Sequence, residues 1–443
     1  MTSGTAIEAE QTAPVPAARG RLARPSRWHA FLSGDFGVAL FVVLLWHGAL
    51  TAAALLFGPT LPTSEGIPGS GIGSGDGLLA HTYRWDGVHY GHILDGGYAE
   101  FVPIRAFYPL FPFTVWLVQT ITFGQLGVLA AGMLINTVAS WLAVVALLKI
   151  VRYHLGEGNG PWLAVAGFLS APAAYFLHVF YSEALFCAIG FWAYLFALRR
   201  SWAWMGLCLM AITASRITGV LFVGLCFLEF WRSRGWSLRG LLSPNLLWFP
   251  ASIAGFAGYM AYLRVVTGDA LGMFHAYQAA NSWSYHVFNP NFPATIAEEV
   301  ELTGRALLGL DQMTTWRLVS HVLPVIGLVL LLAASCYLIG CVLRDRRLHG
   351  PAAACLPPAQ REDRTALVPL AVFGLVAIVM FTLNSNVVSV HRYVLPCLVL
   401  YVALAALAQR SRVLRPAAYV TLYLGGLLQA LLFAKFISGH WSG

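Results

Sequence analysis

His81–Pro112 reads HTYRWDGVHYGHILDGGYAEFVPIRAFYPLFP. It places an acid, Asp86, directly after Trp85, then histidines, tyrosines, a second acid (Asp95) and Arg105. The stretch follows the first long apolar run. It is too polar to cross a bilayer and too aromatic for a plain linker. Polar, aromatic-rich loops held at a membrane surface suit enzymes that act on lipid-carried substrates.

Composition fixes the class around this stretch. The chain has 443 residues, 58% hydrophobic and 10% charged, whereas soluble domains carry about a quarter charged residues. Apolar runs of about 20 residues recur, each long enough for a ~30 Å hydrocarbon core. The expectation is an all-α polytopic membrane protein. Nothing resembles the alternating ~10-residue strands of a membrane barrel.

Eleven spans are expected, at 35–57, 126–150, 161–178, 182–199, 201–215, 217–231, 245–266, 318–343, 366–383, 391–409 and 415–437. The segment 106–123 reads as a re-entrant or interfacial helix, or part of another span. Residues 1–34 are polar and rich in Ala, Pro and Arg, without the apolar core of a signal peptide, and are expected to form a disordered cytoplasmic tail. The spanning domain then runs 35–437, with external loops at 58–125 and 267–317 and a cytoplasmic loop at 344–365.

The net charge of +8 does not indicate a nucleic-acid partner. Most of the 27 basic residues fall in loops that the eleven-span reading puts on one side, and that bias marks the cytoplasm. The N-terminus is expected inside, and the C-terminus and the polar loops outside. The seven cysteines avoid the external loops and form no CxxC or Cys/His cluster, so neither a disulfide framework nor a metal site is expected. No cofactor is expected, although a divalent cation is left open. Gly66–Gly77 lacks the lysine and the strand–helix context of a phosphate loop and reads as a flexible connection.

The unusual polar residues gather in four segments, all on the expected external side. They are the loop with Asp86; the turn LHVFYSEA with His178 and Glu183; TASRITG around Arg216; and the loop opening TGDALGMFHAYQAANSW with the turn NSNVVSVHRY, which carries His391, Arg392 and Tyr393. A charge at the centre of a span costs roughly 2.5–3.5 kcal/mol, so Glu183, Arg216 and Arg392 each need a partner. Structural readings stand beside functional ones. Glu183 with Ser182 can start a helix, Arg216 can cap the carbonyls of a broken span, and Arg392 can snorkel to headgroups. His178 can be an ordinary hydrogen-bonded histidine, and Asp95 a turn former.

For a sugar carried on a lipid phosphate, the acceptor hydroxyl needs one general base. The leaving phosphate is already a stable anion and needs cations rather than an acid, and arginine's planar fork suits it. Asp86 fits the base, and Arg216, Arg392 and His391 fit the phosphate. Trp85, Tyr90, Tyr98, Tyr108 and Trp283 offer faces for a sugar ring or a polyprenyl tail. On a short helix, Asp86 shares a face with His89, Tyr90 and Ile93.

Five segments carry a resemblance: Trp85-Asp86 leading to Gly97-Tyr98; AFYPLFP at 106–112; APAAYFLHVFYSEALF at 171–186; ASRITG at 214–219; and Gly268-Asp269 with His275–Trp283, followed by the late Arg392-Tyr393. The chain resembles the PIG-V mannosyltransferases, within the GT-C superfamily of membrane glycosyltransferases. The resemblance spans about residues 80–400. It implies a GT-C-type bundle of about 11 transmembrane helices, with short interfacial helices in the first external loop. It implies an inverting transferase using a polyprenyl-phosphate sugar, commonly mannose. It maps the superfamily's first-loop aspartate onto Asp86 as base, and two arginines onto Arg216 and Arg392. Substrate contacts are expected from Trp85, His89, Tyr90, Tyr98, Arg105, Tyr108, His178, Glu183, Asp269, His275, Gln278, Trp283 and Tyr393. Tyr108, where phenylalanine is usual, and Ile217-Thr218, where Ser-Asn is common, depart from the eukaryotic pattern and bear on the acceptor. Arginine-rich, Ala- and Gly-rich usage hints at a high-GC bacterial source, so the acceptor is expected to be a glycolipid or another hydroxyl rather than a GPI precursor. The rival reading is a transporter or flippase of a lipid-linked saccharide, which predicts polar residues at mid-membrane.

Overall fold

The computed structural model describes residues 34–62, 77–278, 288–349 and 365–442. Among these every regular element is helical. The principal helices are α1 (Asp35–Phe57), α2 (Asp86–Gly96), α3 (Leu110–Ile121), α4 (Val128–Leu155), α5 (Gly160–Leu169), α6 (Glu183–Leu198), α7 (Trp202–Thr213) and α8 (Val220–Arg232). They continue as α9 (Ala254–Thr267), α10 (Phe292–Leu307), α11 (Leu323–His349), α12 (Val368–Thr382), α13 (Leu398–Arg410) and α14 (Arg415–Ile437). The expected tail and most of the 66–77 connection and the 344–365 loop lie outside the described residues.

Every one of the eleven expected segments holds a helix, and five are long and apolar enough to cross a membrane: Asp35–Thr60, Val128–Leu155, Pro244–Thr267, Thr315–Arg344 and Arg415–Ile437. Their outward faces are apolar, with Phe41, Leu45, Val265 and Tyr423 exposed, as a lipid-facing surface requires. The remaining expected spans are short. α6 has 16 residues and α7 has 12, so at 1.5 Å per residue they stop short of a ~30 Å core.

Two expected boundaries differ. The span expected at 161–178 is helical only over Gly160–Leu169. Pro172 disfavours the helical conformation in the residue before it, so the chain turns at Ser170 and runs on as a strip, buried from Ala173 onward, through a 3-10 turn at Ala174–Leu177. The span expected at 391–409 breaks around Pro396, and its helix begins at Leu398. The ambiguous segment 106–123 forms α3, 12 residues long, too short to cross alone. It exposes Phe113, Trp116 and Ile121.

The core is built on α4, which packs on α6, while α6 packs on α7 and α8. α4 presents Gly132, Asn136, Ala139, Ser140 and Ala143 as buried residues. Small side chains at such spacing let helices approach closely in a membrane. A Cβ at Gly132 would collide with the Phe180 ring, so that glycine is a notch seating the buried strip. Asn136 Nδ2 donates to the Val179 carbonyl at 2.5 Å, fixing the strip's backbone where no helix satisfies it.

Candidate active site

Asp86 is the first residue of α2, where the helix dipole favours a carboxylate. Trp85 before it has φ +51°, a sparsely populated conformation for a bulky residue that persists only where surroundings enforce it. Three contacts do so. The Asp86 N–H donates to Tyr181 Oη at 3.1 Å, the Phe180 N–H donates to the Thr82 carbonyl at 3.1 Å, and Gly87 lies against the Phe180 carbonyl. The Asp86 loop is thereby fastened to the buried strip. α2 ends at Gly97, whose φ of +70° with ψ −168° suits only glycine, and so the Gly97-Tyr98 pair turns the chain back.

Glu183 is the first residue of α6 and 2% exposed. Its Oε1 accepts from Arg216 Nη1 and lies 2.9 Å from Arg392 Nε. Arg392 Nη2 is 2.8 Å from Asp86 Oδ2. Asp86, Arg392, Glu183 and Arg216 thus form one continuous line of alternating charge whose formal sum is zero. It draws on four segments remote in sequence: α2, the break before Ile217–Gly219, α6, and the helical turn Val390–Tyr393. Glu183 Oε2 is buried without a hydrogen-bond partner. Asp86 and Arg216 are the open ends, with side chains 22% and 17% exposed.

Aromatic rings wall the line. The Arg392 guanidinium carbon is 5.2 Å from the Phe176 centroid and 5.4 Å from that of Tyr181, and the Tyr393 ring lies 5.4 Å from the Arg216 carbon. Such faces stabilise partly dehydrated cations. Tyr90 Oη donates to Ser182 Oγ at 2.9 Å, and burial raises the Tyr90 hydroxyl well above its ordinary range, so it stays a proton donor. Tyr277 lies within the field of Tyr393, Arg216, Asp86 and Tyr90, and burial raises its hydroxyl similarly. His89 stacks on Phe107 with centroids 4.9 Å apart. Burial lowers its pKa while Asp86 pulls it back up.

Other expected residues fall into neighbouring groups. His275 Nδ1 pairs with Asp269 Oδ2 at 2.8 Å, and the Leu271 N–H donates to Asp269 Oδ1. The bond from His275 holds the Asp269 carboxyl below its usual range. Arg105 stands beside this pair, its chain against Gly272 and its Nε donating to the Tyr98 carbonyl at 3.2 Å. Tyr98 Oη donates to the Phe107 carbonyl at 2.8 Å. Tyr108 stacks on Phe256 and packs at a tilt against Tyr259, its Oη buried without a hydrogen-bond partner, as is Trp85 Nε1. Gln278 is exposed, and Trp283 lies outside the described residues.

Two expectations change position. His178 does not join the charged line. It is fully buried between His47 and His81, bonded to both. His391 is buried next to Arg392, but its Nε2 lies 3.2 Å from the Ser442 carbonyl, which also accepts from Tyr175 Oη. Tyr181, Phe176 and Tyr277 were not singled out from sequence. Tyr181 stands in the YSE motif and Tyr277 in the HAYQ motif, so the signal was the motifs' own tyrosines. Among the described residues no group of three or more His, Cys, Asp or Glu could hold a metal.

An apolar groove of about 670 Å³ opens between α2, α3 and α9, lined by Ile93, Leu94, Phe113, Trp116 and Gly258 among others. It reaches Ala214, two residues from Arg216. The Leu110 N–H donates to the Ala214 carbonyl, tying the groove wall to the arginine's segment.

Residues 37–256 match the family described as mannosyltransferase (PIG-V), a region that includes Asp86, Glu183 and Arg216. The chain belongs to the PIG-V mannosyltransferase family. Two curated relatives, both GPI alpha-1,6-mannosyltransferase 2, match part of it. The protein from Cricetulus griseus is 33% identical over 157 residues, covering 34% of this chain and 31% of the relative. That from Mus musculus is 31% identical over 211 residues, covering 46% and 41%. The matched region thus spans well under half of either relative. A solved structure, ArnT from Cupriavidus metallidurans bound to undecaprenyl phosphate, aligns over 91% of this chain and 77% of that one, with 14% identity and a TM-score of 0.38. At that level no detail of its site transfers. Arg392 and the Asp269–His275 pair lie outside the family match, and their place beside the matched residues comes from the geometry alone.

Proposed function

We propose that this PIG-V-family chain is an inverting mannosyltransferase of GT-C type. It moves mannose from a polyprenyl-phosphate donor to a hydroxyl of a glycolipid or related acceptor at the extracytoplasmic face. The observation that carries the reading is the Asp86–Arg392–Glu183–Arg216 line, which joins one candidate base and two phosphate-binding cations through a single buried carboxylate.

Asp86 takes the proton of the acceptor hydroxyl as its oxygen attacks the anomeric carbon. The bond from that carbon to the phosphate oxygen breaks on the opposite face, and the electron pair leaves with the polyprenyl phosphate. Arg216 and Arg392 receive the growing negative charge, a task for which preoriented guanidinium groups suit. Before the donor binds, Arg392 is paired with Asp86. A phosphate that claims Arg392 releases the Asp86 oxygens to the acceptor hydroxyl, so donor binding prepares the base. Glu183 is a positioning residue: it holds both guanidinium groups and remains behind them. The apolar groove suits the prenyl tail, and Trp85, Tyr277 and Tyr393 offer faces to the sugar. The Arg105–Asp269–His275 group suits acceptor hydroxyls.

The test is transfer of label from polyprenyl-phosphate-mannose into a lipid extract by the purified chain in nanodiscs. A new labelled lipid supports the reading. Tight donor binding without product, together with donor movement across sealed vesicles, would instead favour the transporter.

A further inference from the structure

We propose that His47, His178 and His81 form one hydrogen-bonded chain that holds the Asp86 loop in place until it takes up more than one extra proton. They would act as positioning residues that set an acid limit on activity from outside the charged line. The activity consequence rests on the proposed transferase reading; the chain itself does not.

The three histidines come from three elements: α1, the buried strip after α5, and the 3-10 turn Gly77–Thr82. His81 Nδ1 lies 2.8 Å from the Leu78 carbonyl oxygen. A carbonyl only accepts, so this nitrogen carries the hydrogen. A neutral His81 then presents a lone pair at Nε2, 3.1 Å from His178 Nε2, which must donate. His178 Nδ1 is left with a lone pair, 2.9 Å from His47 Nδ1, so His47 donates in turn. One backbone carbonyl thereby assigns three tautomers. The chain ends on a lone pair at His47 Nε2, which is buried without a hydrogen-bond partner.

This arrangement has a definite proton capacity. A first proton can enter at His47 Nε2 without breaking a link, but it places a charge in a buried site. A second proton sets N–H against N–H and must open one of the two bonds. The bond to His81 matters most for the site. His81 precedes Asp86 by five residues, and the loop's other fastenings, at Thr82 and Asp86, run to Phe180 and Tyr181 of the strip that holds His178. The same strip leads directly into Ser182 and Glu183. Opening the histidine chain therefore loosens the base relative to the carboxylate that anchors the arginines.

The surroundings favour the neutral state. His81 faces His178 from the strip, His47 lies beyond it on α1, and Phe433 of α14 and Trp46 of α1 add uncharged rings. The nearby charge is Arg84, a cation, and no carboxylate acts on any of the three histidines among the described residues. Burial lowers the His81 pKa below the ordinary 6.5, the Leu78 bond opposes this, and Arg84 adds to it. The sign follows: a base depressed by folding contributes its stability fully above its unfolded value and loses it as pH falls below that value. The loop is firm at neutral pH and loosens in acid.

The test uses full-length protein in nanodiscs with nitrogen-15-labelled histidine. At pH ~7.5, above the ordinary histidine range, the nitrogen shifts should show His81 as the Nδ1–H form, His178 as Nε2–H and His47 as Nδ1–H. On acidification His47 should take the first proton, and the His178 and His81 shifts should then change together as the chain opens. An Nε2–H form for His81, or three independent titrations, overturns the chain whether or not the protein is a transferase. In parallel, His81→Gln and His47→Gln keep a donor and an acceptor but do not titrate. Both should retain neutral-pH transfer within about threefold; His81→Gln should move the acid limit down by roughly half a pH unit, whereas His47→Gln, which removes the one site that takes a proton without opening a link, should move it up. An acid limit unmoved in both variants overturns the positioning role. If neither variant folds, the wild-type nitrogen shifts still decide the hydrogen-bonded chain.

Discussion

Glu183→Gln tests the anchor of the charged line. Wild-type Glu183 is buried and meets two guanidinium groups whose side chains are 17% and 7% exposed. Glutamine fits the space and keeps one acceptor oxygen, but it takes the line from zero to a net positive charge. The loss of charge-assisted character in such hydrogen bonds is worth about 1.5–3 kcal/mol, or roughly 10- to 150-fold in binding or rate. Glu183→Ala goes further and leaves Arg216 without its partner, at a cost of about 3–5 kcal/mol. Denaturant unfolding in nanodiscs, donor affinity and transfer rate should therefore all fall in Glu183→Gln and fall further in Glu183→Ala. The double variant Glu183→Leu/Arg216→Met replaces a buried ion pair by apolar groups of similar size, a change that is often neutral for stability. It should regain most of the lost stability and none of the donor affinity, since no cation faces the phosphate at position 216. A Glu183→Gln protein that unfolds like wild type and binds and transfers within twofold of it would refute the reasoning.

Two further expectations concern the groove and the topology. A Cβ at Gly258 meets nothing within 4 Å, so Gly258→Leu should fill the groove without disturbing the fold. It should raise KM for a long-chain donor while leaving a short-prenyl donor nearly unaffected; an equal effect on both would remove the groove from tail binding. An epitope tag at the N-terminus should be protected in sealed cells and one at the C-terminus accessible, and labelling of both on the same side would contradict the eleven-span reading.

Much of this was legible in the sequence because membranes penalise charge. Glu183, Arg216 and Arg392 stood out as residues that needed partners, and they prove to be one another's partners, with Asp86 at the end of the line. What could not be read was who pairs with whom. Glu183 serves two arginines, one 33 residues away and one beyond 200, and no local pattern records that. His47 sits in an apolar helix and its partner His178 lies 131 residues on, so each looked like a lone histidine. His81 opened the stretch quoted first, yet its role depends on the Leu78 carbonyl and on His178, both set by the fold. The short helix α5 was read as a full span because hydropathy continues through Leu177; Pro172 marked the true end. The residues that line the strip, Phe176 and Tyr181, were hidden for the same reason, since aromatic residues in an apolar run read as core.

The central claim is tested most directly by Asp86→Asn beside wild type, measuring donor binding and mannose transfer on the same nanodisc preparations. Asparagine keeps the shape and one acceptor oxygen but cannot take a proton. General-base catalysis contributes about 10²–10⁴-fold, so transfer should fall by at least the lower figure while donor binding stays near wild type. Near-normal turnover by Asp86→Asn would contradict the account.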